Sequence, residues 1–362
     1  MFRFVQKLAY YPEKLKAFCK ADYAKTLSTV IFYPSTEICN QDCVFCDSKF
    51  YDLKKLEFNR KQMGDMLDDM VQLGADSLII LGDGSEPILF RDLDWLVDEA
   101  VSRNIACGIY TNGSRCNKQL LECLNKMEFV RVSLDAGNAK THSIVHGYSL
   151  LRGDFENALT LLKMLDKKKV NTGIAYIIMD ENVKEIYSTW KNLCDLGVHY
   201  MELKLPLQEG YKFSKLKNSF IENIKTEINK IELSRSNTES GYTKVVLNNH
   251  IKELLMNHCA SEDLTKKEEK PCLTCCFRTI VSPMGYYQCS PLKNLEKAYY
   301  GDPYTTRLKD AWLSERHMQM IGSNCSICCI YNGQNEALLQ MNDERNFLES
   351  LDDLHTGQKH FL

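Results

Sequence analysis

Cys39-Asn40-Gln41-Asp42-Cys43-Val44-Phe45-Cys46 sets three cysteines at C-x3-C-x2-C spacing, with an aromatic residue directly before the last. Thiolates are soft ligands that suit iron–sulfur clusters or zinc. Three sulfurs so closely spaced grip three corners of a cubane cluster and leave the fourth iron open to substrate or cofactor. A closed structural zinc site wants a fourth protein ligand close by. The next cysteine in the chain is Cys107, so the trio reads as an open cluster site rather than a zinc knuckle.

The chain around this stretch alternates two periodicities. Thr29 to Pro34 is apolar and β-branched and predicts a buried strand running straight into the cysteine loop. Downstream, Met63, Met66, Leu67, Met70 and Leu73 make the apolar stripe of a helix over 59–74. Further strands are expected at 77–81, 106–111, 129–135, 170–178 and 200–205, with helices at 91–103, 117–126, 154–167, 183–197 and 211–235. Six strands alternating with helices imply parallel pairing through right-handed crossovers. The expected fold is α/β, a partial (β/α)6 TIM-like barrel. In barrels function gathers at the carboxyl ends of the strands. The cysteine loop, Gly82-Asp-Gly-Ser-Glu-Pro87, Thr111-Asn-Gly113 and Asp135 all fall at such ends. Expected boundaries are a helical preamble at 1–27, the barrel at 28–235, a small α+β unit at 236–340 and a charged tail at 341–362. A polar stretch at 234–241 reads as the linker.

Composition is that of an ordinary soluble protein, 44% hydrophobic and 26% charged. The net charge of −3 offers no footprint for nucleic acid or an anionic membrane. No apolar run reaches the length of a membrane span, and Met1 to Lys20 is not signal-like. The chain therefore reads as cytoplasmic, without nucleic-acid or membrane partners. Of its 16 cysteines, ten fall in three groups: the trio above, Cys272, Cys275, Cys276 and Cys289, and Cys325, Cys328 and Cys329. Clustered cysteines in a reducing compartment favour metal over disulfides.

Two strands carry an unexpected polar face. Arg131, Ser133 and Asp135 alternate with Val130, Val132 and Leu134, and Tyr200, Glu202 and Lys204 alternate with Met201, Leu203 and Leu205. Parallel strands covered on both faces are normally apolar throughout, so these faces predict a lumen that holds a polar ligand. A glutamate and a lysine there are costly unless paired or functional. Glu202 and Lys204 are the candidate catalytic pair, with an internal salt bridge as the alternative.

The cysteine motif, including Phe45, resembles the signature of the radical S-adenosylmethionine (radical SAM) superfamily, and the likeness covers about residues 28–210. The resemblance implies that Cys39, Cys43 and Cys46 hold a [4Fe–4S] cluster whose open iron is chelated by SAM, with Phe45 beside it. It implies reductive cleavage to a 5′-deoxyadenosyl radical that abstracts hydrogen from a substrate. Gly84-Ser85-Glu86-Pro87 is similar to the family's Gly-Gly-Glu-Pro-like motif, with serine for the second glycine, and is expected to meet the SAM ammonium group. Asn112, Ser133 and Asp135 are further candidates for the SAM ribose or carboxylate. A low-potential donor such as flavodoxin or ferredoxin is the implied electron source.

The C-terminal cysteines resemble the twitch domain, the shorter relative of the SPASM extension. In it a cysteine, a hairpin glycine, a second cysteine and a later C-x2-C enclose an auxiliary [4Fe–4S] cluster. The implied ligands are Cys272, Cys289, Cys325 and Cys328, with Gly285 as the hairpin turn. Cys275 and Cys276 compete with Cys272, Cys329 competes with Cys328, and four thiolates suit zinc equally. The implied activity is oxidation or epimerisation of a sugar or aminocyclitol-type small molecule. Modification of a ribosomal peptide and cofactor biosynthesis are the alternatives, and a non-catalytic metal-binding scaffold is the reading from a different class. The 27 residues before the first strand are few for a leader-peptide-binding domain.

Overall fold

The computed structural model describes residues 11–207, 216–236, 242–257, 266–327 and 331–343. The six expected strands are present: β1 (Thr29–Phe32), β2 (Ser77–Ile80), β3 (Ala106–Thr111), β4 (Phe129–Ser133), β5 (Asn171–Ile177) and β6 (Tyr200–Lys204). Each pairs in parallel with the next. Helices return the chain along the outside, as right-handed crossovers require. The first of these crossovers is α2 (Arg60–Leu73), which follows β1, whereas α1 (Pro12–Cys19) precedes the barrel. In α2, Asn59 and Gln62 form a capping box and Gly74, at φ 73°, closes the last turn. The predicted stripe Met63, Met66, Leu67, Met70 and Leu73 is buried against the sheet.

The sheet runs further than six strands in both directions. β7 (Lys244–Leu247) pairs in parallel with β6, so the sheet crosses the expected boundary at residue 235. On the other side, β9 (Arg278–Ser282) pairs in parallel with β1, matching Thr29 to Arg278 and Phe32 to Val281. β10 (Gly285–Tyr287) and β11 (Tyr299–Gly301) then extend the sheet in antiparallel order. The β9–β10 hairpin turns on Pro283 and Met284, while Gly285 opens the return strand at φ 148°. A side chain there would strike the ring of Tyr299. β8 (Lys266–Pro271) and β12 (Asn324–Ile327) form a separate two-stranded sheet.

One apolar core fills the space between the sheet and the crossover helices. A second lies under the amino ends of the strands. There α1 meets Phe277 and the helix Asn332–Asp343 through Leu15, Phe18 and Leu338. Among the described residues no helix is long and apolar enough to cross a membrane.

Candidate active site

The cysteine loop leaves β1 without regular structure until Asp47 and is pinned from several sides. The backbone N–H groups of Asp42 and Val44 donate to the carbonyls of His146 and Val145 at 3.1 and 3.0 Å. Asn112 donates through Nδ2 to Asn40 Oδ1 at 2.9 Å, and Asn40 donates to Ser114 Oγ at 2.8 Å. Arg152 donates to the carbonyl of Asn40 and pairs with Asp154, which also accepts from Gln41 at 2.9 Å. These contacts hold the loop above the strand ends.

Cys39, Cys43 and Cys46 open together on a cavity of about 830 Å³ that Phe45, Gly84, Ser85, Glu86, Asn112 and Ser133 also line. Burial, then the nearby Glu86 carboxylate and Cys46, push the Cys39 thiol up to about 11. Burial, then Asp135, Cys46 and Cys39, push Cys43 well above the ordinary thiol range. The mutual influence shows that the three sulfurs converge. The thiols of Cys39 and Cys43 need a cationic group to ionise. Among the described residues no three histidine, cysteine or acidic side chains close on a single metal ion. Three thiols spread around a cavity fit instead a group that presents separated metal corners, with one side left to the polar strand-end loops.

Those loops interlock. Glu86 is buried and accepts from Thr111 Oγ1 at 2.5 Å, from the Asn112 N–H at 2.7 Å and from the Ile88 N–H at 3.2 Å. Burial pushes its carboxyl up to about 7 despite these donors. Gly84, at φ 59°, donates to Ser48 Oγ at 2.6 Å, and Ser85 Oγ donates to the Ser35 carbonyl at 2.7 Å. Asp135 takes a different place from the one expected. It is fully buried at φ 45°, accepts from the Ile177 N–H, and does not line the cavity. Its Oδ2 lies 3.2 Å from His146 Nε2, and neither atom has an aligned hydrogen-bond partner among the described residues. His146 Nδ1 in turn lies 3.2 Å from Cys43 Sγ. Nothing in the sequence pattern marks this chain of contacts, because a lone histidine at the end of a short helix carries no periodicity.

Beneath the cavity lies the barrel lumen, about 580 Å³, and the two share Lys204, Tyr110, Leu81 and Gly82. The predicted polar faces meet there. Arg131 pairs with Glu202, stacks 3.4 Å from the centre of the Tyr110 ring and leaves its Nε without a hydrogen-bond partner among the described residues. Lys204 Nζ lies 3.3 Å from Glu202. Burial and the Arg131 charge push Lys204 down to about 8, against the pull of Glu202. Burial works to raise Glu202, but Arg131 and Lys204 together hold it below the usual carboxylate range. Lys293, from the segment after β10, also reaches the lumen.

In the C-terminal region Cys272 and Cys275 lie side by side, Cys275 Sγ donating to the Cys272 carbonyl at 3.2 Å. Gln288, the neighbour of Cys289, donates to Cys275 Sγ at 3.0 Å. Cys325 stands on β12 opposite Lys270, close to the strand end that leads into Cys272. Cys276 is packed into the apolar core with Phe18 and Leu338. Cys328 and Cys329 lie outside the described residues.

Residues 33–191 match the model of the radical SAM superfamily. The chain is 28% identical over 167 residues to the Fe-coproporphyrin III synthase of Methanosarcina barkeri, 45% of this chain and 40% of that protein. It is 27% identical over 115 residues to the S-adenosylmethionine-dependent nucleotide dehydratase of Flammeovirga pacifica, 30% of this chain and 39% of that protein. The matches thus span less than half the length of either relative. Among solved structures, native anSMEcpe with bound AdoMet superposes with a TM-score of 0.59 at 14% identity, over 90% of this chain and 99% of that one.

Proposed function

We propose that the protein is a radical SAM enzyme acting on a polar small molecule held in the barrel lumen, a reading supported by the match of residues 33–191 to the radical SAM superfamily, whose members use SAM and a [4Fe–4S] cluster. The observation that carries this reading is the continuity of the cysteine-lined cavity with the lumen through Lys204 and Tyr110. When bound, a cluster on Cys39, Cys43 and Cys46 supplies the electron that splits SAM into methionine and a 5′-deoxyadenosyl radical. Phe45, the Gly84-Ser85-Glu86 loop, Asn112 and Ser133, which line that cavity, would hold SAM against the open side, while Asp135 supports the wall from behind.

The reaction is dehydrogenation or epimerisation. Lys204 sits where the two cavities join, and with its ammonium pushed down to about 8 it takes up or returns a proton near neutral pH. Glu202 and Arg131 orient it. Leu81 and Leu205, which line both cavities beside it, limit the water that reaches a radical reaction there. Cys272 or Cys275, with Cys289, Cys325 and Cys328, hold an auxiliary [4Fe–4S] cluster in a twitch-like arrangement, and a cytoplasmic flavodoxin or ferredoxin supplies electrons. A second reading, action on a cofactor precursor or nucleotide, draws on the names of the two curated relatives.

The test is anaerobic reconstitution followed by a dithionite assay for 5′-deoxyadenosine. Wild type should form it, and the triple variant Cys39→Ala, Cys43→Ala, Cys46→Ala should not. Equal 5′-deoxyadenosine from both would overturn the reading.

A further inference from the structure

Three lumen-lining cations have acidic partners. Arg131 and Lys204 share Glu202, and Lys293 has Asp83 at 2.8 Å and Asp47 at 3.6 Å. Arg278 does not. It opens β9, is 5% exposed and lines the lumen, yet no carboxylate among the described residues pairs with it. Its Nη2 donates to Gln334 Oε1 at 2.9 Å, the Tyr331 ring lies 4.0 Å from its guanidinium, and its Nε–H has no hydrogen-bond partner among the described residues. A guanidinium stays charged at any relevant pH, and a buried charge without a counter-ion is costly. Such a group is kept when something else brings the negative charge.

Its position adds a length. Arg278 pairs in register with Thr29, the first residue of β1. The cysteine loop follows the other end of that strand, three residue steps or roughly 10 Å further on at ~3.3 Å each. We propose that the lumen floor is an oxoanion subsite, in which Arg278, flanked by Gln334 and Tyr331, receives a carboxylate or phosphate at the far end of an elongated substrate. The reacting carbon of that substrate lies at the top of the lumen beside Lys204. This rests on the reading of the lumen as the substrate chamber, and it narrows the substrate to molecules with an anionic group well removed from the reacting carbon. Planar guanidinium groups suit such oxoanions.

The experiment uses the metal-free full-length protein and thermal unfolding, with adipate and pyrophosphate as separate probes. One or both should raise the unfolding temperature of wild type, adipate marking a carboxylate site and pyrophosphate a phosphate site. Arg278→Met should weaken that probe's binding at least about tenfold, the loss expected for a charge-assisted hydrogen bond, and Arg278→Lys should restore part of it. In anion-free buffer Arg278→Met should unfold at the same or a higher temperature than wild type, because it removes an uncompensated buried charge. A merely structural arginine, working through Gln334 and Tyr331, would lower it. After anaerobic reconstitution, SAM binding should be equal in all three proteins. Failure of both probes on wild type, or an unchanged anion response in Arg278→Met, overturns the inference. Because the readout needs no cluster, anion binding through Arg278 without any SAM cleavage would overturn the radical reading alone, and SAM cleavage without Arg278-dependent anion binding would overturn this one alone.

Discussion

Lys293 places its ammonium 2.8 Å from Asp83 Oδ1, tying the segment after Cys289 to the loop after β2. Both side chains are nearly inaccessible, at 7% and 0%. Asp83 also accepts from Ser48 Oγ at 3.0 Å and from Asn294 Nδ2 at 2.8 Å. The contact joins the C-terminal third of the chain to the loop that carries Gly84, Ser85 and Glu86.

Breaking this pair from one side leaves a buried carboxylate. Lys293→Met should therefore lose about 3–5 kcal/mol of stability. Adding Asp83→Asn should return part of that loss, because the double variant buries no unpaired charge. Denaturant unfolding of the four proteins gives the coupling energy. A coupling near zero would show that the two residues are neighbours without consequence.

The lumen charges make an asymmetric prediction. Glu202 serves both Arg131 and Lys204. Glu202→Gln leaves two buried cations together and should cost about 3 kcal/mol or more. Lys204→Met leaves Arg131 and Glu202 paired, so it should fold well. It should still cleave SAM while product formation falls by about 10²–10⁴-fold, the range for losing a general acid or base. Equal melting temperatures for the two variants would contradict the shared-carboxylate arrangement.

The depressed Lys204 also predicts a pH dependence. Its amine titrates near 8 when folded and near 10.5 when unfolded. Between those values the unfolded chain holds more protons, so this residue's contribution to stability rises with pH across that window. Below about 8 its burial is fully unfavourable. Stability curves of wild type and Lys204→Met should converge from pH 8 upward, and parallel curves would remove the shift.

Glu86 works in the opposite sense. Its carboxyl titrates near 4.5 unfolded and about 7 folded. From pH 4.5 to 7 the folded protein holds the extra proton, so stability falls as pH rises through that range. In metal-free protein, Glu86→Gln should flatten this fall. An unchanged slope would place Glu86 in a wetter setting than the one described.

Iron content separates the two cysteine regions. Anaerobically reconstituted wild type should carry about eight iron atoms, and the Cys39, Cys43, Cys46 triple variant about four, from one remaining four-iron cluster. Four in wild type, accompanied by zinc, would assign the C-terminal cysteines to zinc.

The sequence made the barrel legible because its strands are short apolar runs and its helices carry stripes such as Met63 to Leu73. The polar faces of Arg131 and of Glu202 and Lys204 were legible for the converse reason, as polar residues where a doubly covered strand should have none. β7 was missed because four residues, Lys244 to Leu247, sit in a polar stretch. The pairing of β9 with β1 was missed because alternation names a strand but not its partner. The same alternation, Arg278, Ile280, Ser282, marks Arg278 as inward-facing once β9 is known to border the lumen. Asp135 was misplaced because a strand-end carboxylate reads alike whether it faces the cavity or, from the left-handed backbone it adopts here, ties β4 to β5.

The place of β9 beside β1 also sets a schedule for synthesis. Thr29 and its partner Arg278 are separated by about 250 positions. At ~5–20 residues per second, the first strand of the barrel waits roughly 10–50 s on the ribosome for its second neighbour. Throughout that interval Val30, Ile31 and Phe32 present an apolar unpaired edge, the kind that templates misassembly between chains. The nascent barrel is thus most vulnerable while its cysteine loop is already made and the strand that flanks β1 is not. Slow codons or chaperone capture between residues 210 and 280 would act on yield without touching any residue of the site.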